Sequence, residues 1–416
     1  MKYLIMIIIV FLSLSFNVKG QGEDKLQEAI EMYNDGLYKN AIIELQKILK
    51  SDEKNVNAWL YLSYSGLAAE DFKLAKDGFM KVQMYTNNDE IKSASLLGLG
   101  SIKLETGDFN NAIADFSKAI LLNDKNSEIF IFRGDAYLEL DDYNNALKDY
   151  NSAIAKNPSN GLAYFSKGQL LCDIGEYAQA TENFLKANSI EPSLPDYHHW
   201  QGICYFYLDK FEESIIHIDA AIIDEYAFDL WELYYYRGAS NYYLLKFDEA
   251  IYDFKLSLKE RKDPFTYYKL GLAYSKILDF SLAKESFEKA INISPDNPEY
   301  FNSLAFVSIQ LNEFTYARKM ITEAKKISTD NYYTSMVDAL VSLSEKKYSE
   351  AIEKLDESIQ FMNNKKLKDP DPYLYLGKAY YELNNIGEAC KNLKKYFKLG
   401  GLDKEAKSLL EKKCSM

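Results

Sequence analysis

Residues 109–146 read FNNAIADFSKAILLNDKNSEIFIFRGDAYLELDDYNNA. The stretch opens on Phe109-Asn-Asn-Ala112 and closes on Tyr143-Asn-Asn-Ala146, an aromatic-x-x-Ala step repeated after 34 residues. Gly134 stands twelve residues before Ala146, and Phe116 stands four residues after Ala112. Apolar side chains in between recur at i, i+3, i+4 and i+7, which is the helical period. One unit therefore reads as two helices joined by a short turn.

The step continues in both directions. It begins at Tyr38 and Phe72, and resumes at Tyr177, Phe211, Phe247, Phe280, Phe314, Tyr348 and Ile386. The closing residues Ala41, Ala75, Ala112, Ala146, Ala180, Ser214, Ala250, Ala283, Ala317, Ala351 and Ala389 lie 34, 37, 34, 34, 34, 36, 33, 34, 34 and 38 residues apart. The residue twelve before each is always small: Ala29, Ser63, Gly100, Gly134, Gly168, Gly202, Gly238, Gly271, Ala305, Ala339 and Gly377. The residue four after each is large, from Leu45 and Phe79 through Phe184 and Phe287 to Leu393. Small positions let two antiparallel helices approach, and large ones fill the gap to the next pair. The eight prolines (Pro158, Pro192, Pro195, Pro264, Pro295, Pro298, Pro370 and Pro372) fall at unit borders, where helices start or stop. Such units stack because none buries its apolar face alone. The extra residues near Tyr85–Ile91, Asp224–Asp229 and Asn363–Asp371 read as lengthened turns.

Composition narrows the chemistry. The 416 residues are 47% hydrophobic and 27% charged, which suits a packed chain and excludes wholesale disorder. With 62 acidic and 49 basic side chains the net charge is −13, so phosphate backbones are repelled and nucleic acid is not expected as a partner. His198 and His199 are adjacent and point about 100° apart on a helix, so they cannot share one metal. No phosphate-cradling loop and no nucleophile elbow occurs. The expectation is no enzyme, no cofactor and no metal.

The N-terminus carries Lys2 and then an apolar run, YLIMIIIVFLSLSFNV, from Tyr3 to Val18. This reads as a signal peptide over 1–20, cut near Gly20–Gln21. The expected chain is then a repeat array over 21–402 and a C-terminal capping helix over 403–416. It would be exported to the periplasm or cell envelope, or secreted, and no other run is apolar enough to span a membrane. Cys390 and Cys414 lie nearly symmetrically about Gly400-Gly401, which places them opposite one another in a hairpin and predicts a disulfide. Cys172 and Cys204, on first helices of neighbouring units, read as buried thiols, with a second bridge as the alternative.

The pattern resembles the tetratricopeptide repeat family. The 34-residue period, the small residue near the eighth position, the Ala near the twentieth, the closing Pro158, Pro192 and Pro295, and Ala-Trp59-Leu-Tyr-Leu62 carry the resemblance, over about 22–402. It implies an all-α, right-handed solenoid of about eleven two-helix units whose first helices line a concave face. Carried over by position, the inward side chains of units six to eight include His199, Ile203, Phe206, Tyr207, Tyr235, Tyr242, Tyr243, Phe265 and Tyr268. Such an aromatic stripe suits protein or peptide recognition. It equally suits neighbouring units burying rings against each other, and both readings stand at this level. Asp135, Glu139, Asp173 and Glu232 border the stripe and favour a basic partner. The Lys/Asn/Arg clamp by which some members hold a terminal carboxylate is missing. A non-catalytic exported scaffold, able to join an envelope complex, is the expectation; a glycan- or peptidoglycan-binding component of a cell-envelope machine is the alternative.

Overall fold

The computed structural model describes residues 23–192, 197–223, 230–329 and 331–414. The expected signal segment 1–20 and the extra residues at 224–229 lie outside them. The described residues form twenty-three helices and no strand. Repeats 1 to 5 pair Glu23–Asn34 with Tyr38–Ser51, Val56–Ala68 with Phe72–Tyr85, Asp89–Glu105 with Phe109–Leu122, Ser127–Leu138 with Tyr143–Lys156, and Gly161–Asp173 with Tyr177–Ile190. Repeats 7 to 11 pair Leu230–Tyr243 with Phe247–Glu260, Pro264–Lys276 with Phe280–Ile293, Pro298–Gln310 with Phe314–Ile327, Tyr332–Ser344 with Tyr348–Asn364, and Asp371–Glu382 with Ile386–Lys398. The chain forms two compact units, Met1–Leu208 and Asp209–Met416. Repeat 6 is shared out: Tyr197–Tyr207 belongs to the first unit and Phe211–Ile223 to the second.

Every helix-to-helix turn inside a repeat is made the same way. Gly36, Glu70, Gly107, Asp141, Gly175, Asp209, Leu245, Leu278, Asn312, Lys346 and Asn384 all adopt positive φ, each five residues before the repeat's closing small residue. In the ten repeats that lie within one unit the next amide reaches back to a carbonyl of the helix just ended, as in Asp108 N–H to Lys103 O (2.8 Å) and Asp279 N–H to Tyr274 O (3.0 Å). This is a left-handed C-terminal cap, which glycine adopts at no steric cost. Leu245 and Leu278 adopt it against their preference. Leu278 is 71% exposed, so its side chain returns little packing. Leu278→Gly is therefore expected to stabilise the second unit by about 0.5–1 kcal/mol, read as a rise in its thermal or urea midpoint. Destabilisation would mean that Leu278 packs rather than caps.

The small and large positions meet within one repeat. A carbon added at Gly100, Gly134, Gly168 or Gly271 would lie 2.5, 2.6, 2.7 or 2.5 Å from the ring of Phe116, Tyr150, Phe184 or Phe287. Gly377 faces Leu393 likewise, at 2.6 Å. The large side chain thus seats on the missing side chain of its own first helix, and these rings are fully buried. Fixed ion pairs add direction. Arg133 makes a bidentate contact with Asp149 (2.7 and 2.8 Å), and Arg237 with Asp253 (3.0 and 2.7 Å), each tying first helix to second.

Two of the extra segments are not long turns. Both Asp89–Glu105 and Tyr348–Asn364 are 17 residues long, whereas most of the other helices have 12 to 14. Three or four inserted residues add one helical turn and leave the buried face in phase. The insertion near Tyr85–Ile91 is taken up this way, and so is most of that near Asn363–Asp371.

The last helix, Lys404–Lys413, buries Ala406 against repeat 11 in a cluster with Tyr373, Leu374, Leu393 and Tyr396. The Tyr396 hydroxyl accepts the Leu402 and Asp403 amides, both at 3.0 Å, and Gly401 lies under its ring. Cys390 and Cys414 are at disulfide distance, with Cα atoms 5.7 Å apart.

Candidate functional site

The eight ring-bearing side chains of the expected stripe fall in two groups. His199, Phe206 and Tyr207 are on Tyr197–Tyr207 in the first unit, and the other five are in the second. His199 is only 8% exposed and lies against Trp200, ring centroids 5.8 Å apart. Tyr207 is 46% exposed, yet one of its faces is covered by Tyr177, stacked at 4.4 Å and 6°. Phe206 meets Tyr207 edge-on at 5.3 Å.

In the second unit Tyr235 contacts Phe254 at 6.1 Å and Phe265 at 5.8 Å. Phe265 follows to Tyr268 at 6.3 Å, and Tyr268 to Tyr300 at 5.1 Å. Tyr235, Phe265, Tyr268 and Tyr300 are carried by the first helices of their repeats, so these four rings form one row across repeats 7, 8 and 9, while Phe254 lies on the second helix of repeat 7. Tyr242 sits edge-on to Tyr243 at 5.8 Å, and Tyr243 stacks on Phe211 at 4.8 Å and 11°. Phe265 and Tyr243 remain 44% and 48% exposed, while Tyr235, Tyr242 and Tyr268 are half-buried. Burial pushes the Tyr268 phenol up, against the pull of neighbouring Ser303, and pushes Tyr242 up as well. Both stay neutral and able to donate a hydrogen bond.

Three features of this face are absent from the sequence reading. Lys269 extends its ammonium over Phe265 (5.2 Å) and Tyr243 (5.9 Å), and burial lowers its pKa against the opposing charge of Glu299. Tyr300 completes the ring row. Tyr333, in repeat 10, has its phenol pushed up by burial and by the nearby Tyr268 and Tyr375. Tyr333 stands six residues before the small landmark Ala339, an inward register, and the signal for it was that register alone. Of the expected acidic border, Glu139 and Asp173 are exposed and Glu232 is partly exposed. Asp135 departs from the expectation: it is buried and accepts the Tyr150 hydroxyl at 2.7 Å, serving the core.

The first unit carries an inward-register carboxylate of its own. Glu128 follows the capping Asn126, and burial pushes its pKa up to about 8, against a hydrogen bond from Asn126. Unfolded, the same carboxyl titrates near ~4.3. Between those values the folded chain holds a proton that the unfolded chain has released, so stability falls as pH rises through the window. Glu128→Gln is expected to flatten that fall and to raise stability at pH ~8 by about 1–2 kcal/mol, leaving stability at pH ~4 unchanged. Urea titrations at the two pH values check it, and equal gains at both would refute the assignment.

Among the described residues no group of three or more His, Cys, Asp and Glu is placed to hold a metal. No described helix is long and apolar enough to cross a membrane.

Family models described as tetratricopeptide repeat match residues 97–160, 133–195 and 266–297. The paired helices and the left-handed turn of those segments recur in the other repeats. The chain carries tetratricopeptide repeats. Solved structures similar to this chain include the Cut9–Hcn1 hetero-tetramer of the APC/C, at 14% identity, 98% of both chains and a TM-score of 0.46. A tetratricopeptide repeat protein from Parabacteroides merdae matches at 21% identity, over 61% of this chain and 98% of that one, with a TM-score of 0.42. YrrB, described as having an unusual peptide-binding site, matches at 21% identity over 48% and 97%, with a TM-score of 0.39. No curated protein matches the sequence.

Proposed function

We propose that this chain is a non-catalytic scaffold that grips a protein or peptide segment along the first-helix face of its second unit. The observation that carries the reading is the ring row Tyr235–Phe265–Tyr268–Tyr300, with Phe265 and Tyr243 about half exposed beside it. Rings held by their neighbours offer contact area at low entropic cost, and neutral phenols supply donors to a partner's carbonyls. A net-basic segment suits a chain of net charge −13. Sugar stacking needs bare ring faces, whereas Tyr243 has Phe211 stacked on it and Lys269 nearby, which favours a protein partner over a glycan.

Export through a cleaved 1–20 segment belongs to the same reading. So does a Cys390–Cys414 bridge clipping the last helix, an addition of about 2–4 kcal/mol in an oxidising compartment. N-terminal sequencing of the mature protein is expected to begin near Gln21.

Quantitative co-purification of the tagged full chain from its host tests the binding face. The variant Tyr243→Ala/Phe265→Ala changes exposed rings and is expected to keep its helicity and melting temperature. Its specific partners should fall at least tenfold, a loss of about 1.4 kcal/mol or more. Undiminished capture by a folded variant would remove these rings from the site.

A further inference from the structure

The four cysteines fall into two spatial pairs, one in each compact unit. Cys172 is the penultimate residue of the first helix of repeat 5, and Cys204 lies within the first helix of repeat 6. The Cys204 thiol donates to the Cys172 sulfur across 3.5 Å. Both are buried, at 7% and 0% exposure, and the stacked rings of Tyr177 and Tyr207 belong to the same two repeats. A disulfide needs its sulfurs about 2.05 Å apart, so a shift of roughly 1.5 Å closes the gap.

We propose that Cys172 and Cys204 are a second disulfide site, which staples repeat 5 to the first helix of repeat 6 whenever the chain meets a disulfide oxidant. The oxidant is a protein or low-molecular-weight disulfide, RSSR. The Cys172 thiolate, the more accessible of the two, attacks one sulfur of RSSR, forming Cys172–S–S–R and releasing RS⁻. The Cys204 thiolate then attacks the Cys172 sulfur; the S–S bond of the mixed disulfide breaks as the Cys172–Cys204 bond forms, and a second RS⁻ leaves. The two thiol protons pass to the two leaving thiolates, giving two RSH. Two electrons move from the protein to the oxidant. Because both sulfurs are buried, closure takes place during folding or through local opening. The bridge would join helices contributed by successive repeats, as the Cys390–Cys414 pair joins the last repeat to the terminal helix.

The test uses the full mature chain in glutathione buffers stepped from reducing to oxidising. Two arms are run: the folded protein, and the reduced unfolded protein refolded in the same buffer, so that access does not limit the outcome. Samples are acid-quenched, unfolded, alkylated and digested, and the cysteine peptides are read by mass. The expected result is loss of alkylation at both Cys172 and Cys204 in one two-electron step, with their peptides linked to each other. In Cys204→Ala, Cys172 should remain alkylatable or carry glutathione. The proposal fails if both thiols stay alkylatable in both arms at every ratio. It also fails if only mixed glutathione disulfides form, or if Cys172 pairs with Cys390 or Cys414.

Discussion

Phe184→Ala is expected to cost the first unit about 3–5 kcal/mol, and to bring its unfolding transition well ahead of the second unit's. Phe184 is fully buried. It meets Phe165 edge-on at 5.5 Å and stacks near Trp200 at 6.5 Å, so it joins both helices of repeat 5 to repeat 6. Its ring occupies the space left by Gly168, where an added carbon would lie 2.7 Å away. Gly168→Ala alone is therefore also unfavourable, by about 1–3 kcal/mol through overpacking. The two changes relieve one another when combined, because the methyl enters the cavity the ring leaves. The double variant should be more stable than the sum of the single effects allows, with a coupling of about 1 kcal/mol or more. Urea unfolding followed by tryptophan fluorescence and helicity measures all four proteins. Strict additivity would show that Gly168 and Phe184 do not share that space. Because each repeat leans on its neighbours, the transition need not be two-state, and the midpoint of the first unit is the quantity to compare.

The second large effect lies at alkaline pH. Burial pushes up the phenols of Tyr33, Tyr64, Tyr268 and Tyr333, and brings Tyr375 to about 12. An unfolded tyrosine releases its proton near ~10. Stability is thus whole below that value and is lost as pH rises toward the folded values, since the unfolded chain ionises first. A phenol moved by about two units forfeits roughly 2–3 kcal/mol across the window. A loss of that size is a large share of the stability of an ordinary domain. Cooperative loss of helicity between pH ~10.5 and ~12 is the expected result, with tyrosinate absorbance rising in the same step. Tyrosinate that appeared gradually around pH ~10 with helicity intact would mean that these rings are solvated.

The helices were legible because their rule is local. An aromatic, a closing Ala, a small residue twelve before and a large one four after recur regardless of what the repeat touches. The inward rings were not legible to the same degree, because exposure is decided by the neighbouring repeat. Tyr207 and Tyr243 look alike in register with the rest of the stripe, yet each stacks on an aromatic that opens the preceding repeat's second helix, Tyr177 or Phe211. Asp135 looked like a rim carboxylate until the Tyr150 hydroxyl claimed it. The left-handed turn has no common residue to mark it: glycine stands there at Gly36, Gly107 and Gly175, whereas Leu245 and Leu278 reach the same conformation under tertiary constraint. The inserted residues were placed in turns because spacing alone does not distinguish a longer loop from one more turn of helix.

The central claim is that the ring row of the second unit is where a partner lies. The most direct measurement places a photo-crosslinking phenylalanine analogue at Phe265 in the full chain in its native host. A control places it at Tyr252, 63% exposed on the second helix of repeat 7. A discrete protein adduct from position 265, with none from 252, is the predicted result. Adducts from 252 and none from 265, both proteins being folded, would contradict it.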